Sequence, residues 1–224
     1  MVLIMLDTII AWIWTILTLM STNYDDSGGG NLPYMVDEAL LGVHYEDALT
    51  KPQYIPNLYA TWAEIQHIFA REMDARIIDL ATGYEFNIRR SFGTHHADVE
   101  PLTVADADIM RGIWGGYSWA RRPVAVYVAG EIFPASLTFS PHAGRDDAPA
   151  LAVVDNRSGG YGRGVNMDTV KGNSINGIIC LHFYGSLLHG SLRSNPDHQN
   201  AVAQAREILR NKYATPILMG DAIQ

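Results

Sequence analysis

The chain has 224 residues and a formal charge of −8 at pH 7, with 18% charged and 48% hydrophobic residues. This composition supports a packed body and excludes extended disorder. The negative balance argues against nucleic acid as a partner, because phosphate recognition needs a positive face, and the single cysteine excludes an intrachain disulfide.

The first twenty residues, MVLIMLDTIIAWIWTILTLM, are apolar apart from Asp7 and three threonines. Residues 2–20 are long enough to cross the hydrocarbon core as a helix, and are expected to form a membrane anchor or uncleaved signal. A cleavable signal peptide fits less well. No Lys or Arg precedes Lys51, and no small-residue cleavage site is clear. The third reading is an apolar docking helix or a misassigned gene start. Residues 21–59 are expected to be a linker and extended connector, with three consecutive glycines in STNYDDSGGGNLP and two prolines in KPQYIP.

Residues 60–224 are expected to form the globular domain. Thr61 and Glu64 make a capping box ahead of an amphipathic helix with a Trp62, Ile65, Ile68 and Phe69 stripe. His67 falls off that stripe and reads as a surface residue. The segment ARIIDLATGYEFNIRRSFG reads as two strands around a turn at Thr82 and Gly83. A second helix starts at the Thr103 cap and runs to about Ile113. Alternating Val124, Val126 and Val128, then Ala129-Gly130 and a fresh apolar run from Ile132, predict a hairpin. Residues 141–174 read as loop. INGIICLHF is an apolar strand, and the last helix has Asn195 as N-cap, Pro196 at its first position and a stripe of Ala201, Ala205, Ile208 and Leu209. Strands and helices mix without regular β-α alternation. The expected fold class is therefore α+β, a mixed or antiparallel sheet with flanking helices, preceded by the apolar N-terminal helix.

Four polar clusters could carry chemistry. In HHADVEPL, an extended backbone would put His96, Asp98 and Glu100 on one face, suited to a metal site or an oriented imidazole; the plain alternative is a polar loop. In SPHAG, His142 sits on a rigid turn. Cys180 and His182 are two apart on the predicted strand and share a face, as a nucleophile beside a base or as a soft metal pair. A lone cysteine also packs well as a small hydrophobe. His182, in so apolar a strand, needs a polar partner. The fourth cluster is His189, Ser191 and Arg193 around Gly190.

The stretches DLATGYEFNIRR, HADVEPLT, GGYSWARRPV, SPHAG, CLHFYGS, HGS and DHQNAVAQA resemble a family of secreted domains of spore-forming Gram-positive bacteria and their relatives. These are often fused to peptidoglycan-binding or SH3-like modules. The resemblance covers about two thirds of the chain and implies a cell-wall setting. It also implies a histidine where this chain has Ile178, so one member of a His-x-Cys-x-His face is missing here. A looser resemblance links LHGSLR to the cysteine motif of L,D-transpeptidases, keeping His189, Gly190, Leu192 and Arg193 but placing Ser191 where the nucleophilic cysteine would stand.

The expected function is action on peptidoglycan or its stem peptides in the cell envelope or outside the cell, by amide-bond hydrolysis or transpeptidation. His182 and His189 would be the acid–base residues and Cys180 or Ser191 the nucleophile. His96, Asp98, Arg122 and Arg193 would bind or orient substrate, with an arginine on a stem-peptide carboxylate. Two alternatives remain open. One is a metal-dependent peptidase holding zinc through His96, Asp98, His142 and His182. The other is a non-catalytic envelope binding or structural module, such as a homo-oligomeric assembly subunit held to the membrane by residues 2–20.

Overall fold

The computed structural model describes residues 55–213, so the apolar N-terminal segment and most of the linker lie outside the described residues. Ile55–Pro56 (β1) is already part of the fold, ahead of the expected start at Ala60. Then come α1 (Trp62–Ile68), β2 (Asp74–Asp79), β3 (Glu85–Phe92), β4 (Ala97–Pro101), α2 (Val104–Trp114), β5 (Ser118–Val128) and β6 (Glu131–Phe139). The chain continues through β7 (His142–Ala143), β8 (Val153–Arg157), β9 (Gly162–Val165), β10 (Gly177–His182) and α3 (Pro196–Tyr213). The class is α+β. None of the described helices is long and apolar enough to cross a membrane.

Period-two alternation gives six of these strands one common apolar face. They pair antiparallel in the order β6-β5-β2-β3-β4-β10, and β10 pairs back onto β6, which closes a barrel. Ile77, Ile88, Val99, Val126, Leu137 and Leu181 are among the side chains that fill it. An eight-stranded barrel is just wide enough inside for side chains, and these six strands enclose less. Trp62, Ile65 and Phe69 of the α1 region, and Ala107 and Met110 of α2, join the same cluster. A second, smaller cluster sets Leu209 of α3 against Ala125, Tyr127 and Ile132. Ile208, expected in the buried stripe, is 40% exposed, while Val202 is buried in its place. The expected loop 141–174 contains the β8–β9 ribbon.

Local signals behave as their chemistry requires. The Thr61–Glu64 capping box is formed in full. Thr103 Oγ1 accepts from Asp106 N. Arg90, almost fully buried, donates to the carbonyls of Gln66, Phe69, Phe92 and Gly93 and lies over the Trp62 ring, tying α1 to β3. Arg122 forms a two-point ion pair with Asp79 at 2.6 and 2.8 Å and lies over Trp114. Burial opposes ionisation of Asp79, but hydrogen bonds from Arg122 and Thr82 outweigh it and hold the carboxyl below its usual range.

Two predictions follow from these contacts. Ala129 and Gly130 both have positive φ, 51° and 81°, between the paired Val128 and Glu131. That turn favours Asn-Gly, so Ala129→Asn should raise the unfolding free energy by about 0.5–1 kcal/mol in urea titrations. Arg122→Ala leaves a buried carboxylate short of its cation and should cost about 2–4 kcal/mol at pH 7. A depressed carboxyl pKa gives stability that is complete above the unfolded value and lost as pH falls through the folded one. The deficit should therefore shrink below about pH 4; a pH-independent deficit would rule out the ion pair as its cause.

Candidate functional site

Barrel closure decides which side chains meet. Ala97 and Val99 of β4, and Ile179 and Leu181 of β10, point into the core. The alternate residues therefore point out. Cys180 pairs directly with Asp98, and Leu181 with Ala97. Continuing that register sets His182 opposite His96. On the other side of β10, His182 pairs with Ser136 of β6. HHADVEPL takes the extended backbone and not the polar-loop alternative: the strand is buried at every position from Ala97 to Pro101. Gly93 makes its entry possible: its φ is +94°, and a Cβ there would come within 1.9 Å of the His96 carbonyl oxygen.

The loop after β10 folds back over this outer face. Leu187 N donates to His95 O, and His96 Nδ1–H donates to Leu187 O at 2.8 Å. These reciprocal bonds fix the His96 tautomer and leave its Nε2 with a lone pair. They also carry His189 over Asp98, with Nε2 at 3.1 and 3.2 Å from the two carboxylate oxygens. Burial would raise the Asp98 pKa, but the hydrogen bond from His189 and the His96 imidazole beside it outweigh burial and hold it at about 2. The same contact raises the pKa of His189, whose side chain is 43% exposed. His96 Nε2 lies 3.2 Å from Asp98 Oδ1, yet it makes no hydrogen bond. Cys180 Sγ, a His96 nitrogen and an Asp98 oxygen all lie within 4.8 Å of one another. Burial, then the Asp98 charge, pushes the thiol strongly up, so it is held neutral.

Four imidazoles stack inward from this point. The ring centroids of His189–His96, His96–His182 and His182–His198 are 4.2, 4.1 and 3.8 Å apart. His182 is fully enclosed, and neither of its nitrogens has a protein partner. Burial, with imidazoles on both faces, drives its pKa far down. His198 is hydrogen-bonded to Ser136 Oγ at 2.8 Å, and burial and Arg121 lower its pKa to about 3. His182 is thus a positioning residue, behind the surface group rather than in it.

Other expected site residues are placed elsewhere. Arg122 is committed to Asp79, on the face opposite to the site. Its neighbour Arg121 is the arginine on the site face: strand parity puts it level with Thr138 and Cys180, its Nε is buried without a partner, and Asp197 is 4.0 Å away. Ser191 and Arg193 are exposed, and the Ser191 hydroxyl accepts from Arg193 N. His142 pairs opposite Ile178, donates from Nδ1 to Ser140 O and packs between the Trp119 and Tyr161 rings. Neither His142 nor His182 joins the close ligand group. Glu100 shares the outward face, but its carboxylate is taken by Ser91, Thr169 and the Val170 amide. Arg121, Ser136 and His198 were not singled out from sequence. The signal for Arg121 was its odd-numbered parity with Ala125 and Tyr127.

If His182 only fills the stack, His182→Phe should be neutral or raise the unfolding free energy by about 1 kcal/mol, since no hydrogen bond is lost. A loss above about 2 kcal/mol in urea denaturation would instead assign its nitrogens a partner. Searches of this chain against family models, curated proteins and solved structures found no match.

Proposed function

We propose that this domain hydrolyses an amide bond in a cell-envelope peptide, such as a peptidoglycan stem. The single observation that carries this reading is the Asp98–His189 pair, a buried ionised carboxylate bonded to a half-exposed imidazole, with Cys180 and His96 at the same point. The envelope setting rests on the motif resemblance, and an anchor at residues 2–20 would suit it. Asp98 accepts from His189 Nε2–H, so Nδ1 is left to take a proton. Water would add its oxygen to the substrate carbonyl carbon and pass a proton to His189. The carbon–nitrogen bond then breaks, and His189 returns that proton to the leaving amine. Arg121, with a donor to spare, would hold a substrate carboxylate in place of Arg122.

A second reading, transpeptidation, has one observation in its favour: the Cys180 thiol lies within 4.8 Å of a His96 ring nitrogen. Cys180 would then carry the acyl group.

His189→Ala and Asp98→Asn should each lower turnover of purified sacculi about 100- to 10,000-fold with circular dichroism unchanged. Cys180→Ala separates the two readings, because a covalent acyl-enzyme trapped from wild type and absent from the variant would establish transpeptidation. No turnover by wild type on sacculi or isolated stem peptides would leave a binding module as the function.

A further inference from the structure

We propose that His96 Nε2, an Asp98 carboxylate oxygen and Cys180 Sγ bind one divalent transition-metal ion of the zinc class on the outer face of the barrel. The inference rests on the hydrolytic reading and names the electrophile it lacks.

The first argument is an unsatisfied contact. His96 is 2% exposed, and its Nδ1 proton is fixed on Leu187 O, so the lone pair of Nε2 faces Asp98 Oδ1 at 3.2 Å. Two acceptors this close repel unless a cation lies between them. A proton there would make a hydrogen bond, and the contact lacks that alignment. A metal ion needs no such alignment between its ligands; it needs each lone pair to point at a common centre.

The second argument is the third ligand. Cys180 sits directly across the ladder from Asp98, and a carboxylate is a poor neighbour for a thiolate. A divalent cation between them reverses that repulsion, because it binds both anions. Three ligand atoms within 4.8 Å of one another need draw in by only about 1 Å to reach tetrahedral separations, with metal–sulfur near 2.3 Å and metal–nitrogen or –oxygen near 2.0–2.2 Å.

The third argument is the chemistry of the set. One thiolate, one imidazole and one carboxylate suit zinc over calcium or magnesium, which prefer oxygen alone. Three protein ligands leave a fourth position for water, as in catalytic sites, while structural sites close it with a fourth side chain. His96 also carries the outer support common to ligating histidines, a ring N–H held by a backbone carbonyl. His189, bonded to the Asp98 carboxylate, stands at the half-exposed opening.

The test uses the full chain without an affinity tag, stripped with a chelator and titrated with zinc and with cobalt(II). One equivalent should bind, and cobalt should show a thiolate-to-metal charge-transfer band in the near ultraviolet. Cys180→Ser should abolish that band and weaken zinc at least about 100-fold, whereas His142→Ala should leave both unchanged. Should Cys180→Ser misfold, the wild-type cobalt band still decides the case. Absence of the band, or wild-type zinc affinity in folded Cys180→Ser, would overturn the site. The two proposals fail separately. Stoichiometric metal without turnover of sacculi removes the hydrolase and keeps the site; absence of the cobalt band with full turnover by chelator-stripped protein removes the site and keeps the hydrolase.

Discussion

The pairing of β4 with β10 is the constraint on which the rest of the molecule depends. It closes the barrel, and through the register Cys180 to Asp98 it also builds the site. Side chains alternate across a strand, so a slip of one residue would bring Asp98 and Cys180 into the core and expel Val99 and Ile179. The apolar alternation that stabilises the barrel thereby fixes the polar alternation outside it. Gly177 serves the same closure. Its φ is +95°, and a Cβ there would lie 2.2 Å from the His142 carbonyl oxygen, so β7 could not approach β10.

The charge pattern on that outer face is narrow. Asp98 stays ionised though nearly buried because two imidazoles reach it. Deeper in, burial keeps His182 and His198 neutral, and Arg121 adds its repulsion at His198. Positive charge is favoured at one imidazole, His189, where solvent and the carboxylate both support it. Behind it the rings stack closely, His96 on His182 at 4.1 Å and His182 on His198 at 3.8 Å. The loop that supplies His189 is fastened at Leu187 by two backbone-directed bonds from residues 95 and 96. The surface group and the buried face it serves are therefore held by one local clamp.

Much of the scaffold was legible in the chain. Caps at Thr61, Thr103 and Asn195, the Ala129-Gly130 turn and the valine alternation before it are all local devices, and each is present. His96 and Asp98 were legible as a shared face because strand parity is local too. The partners were not. Arg121 and Arg122 differ by one position, so strand parity sends only one of them to the site face. The wrong one looked available. His182 was expected to find a polar partner, but it found two imidazole faces instead. Glu100 had the right parity for the site, yet it is engaged by Thr169, which lies 69 residues away.

By itself the sequence determined the strands, the helix caps and the set of residues able to do chemistry, because these follow from neighbours within a few positions. Only the tertiary structure decided that Cys180 faces Asp98 across a ladder, that a distant loop lays His189 on that carboxylate, and that Arg121 rather than Arg122 shares the surface. Those are contacts between strands and loops far apart in the chain. They are set by how the barrel closes, and no short stretch of sequence carries that information.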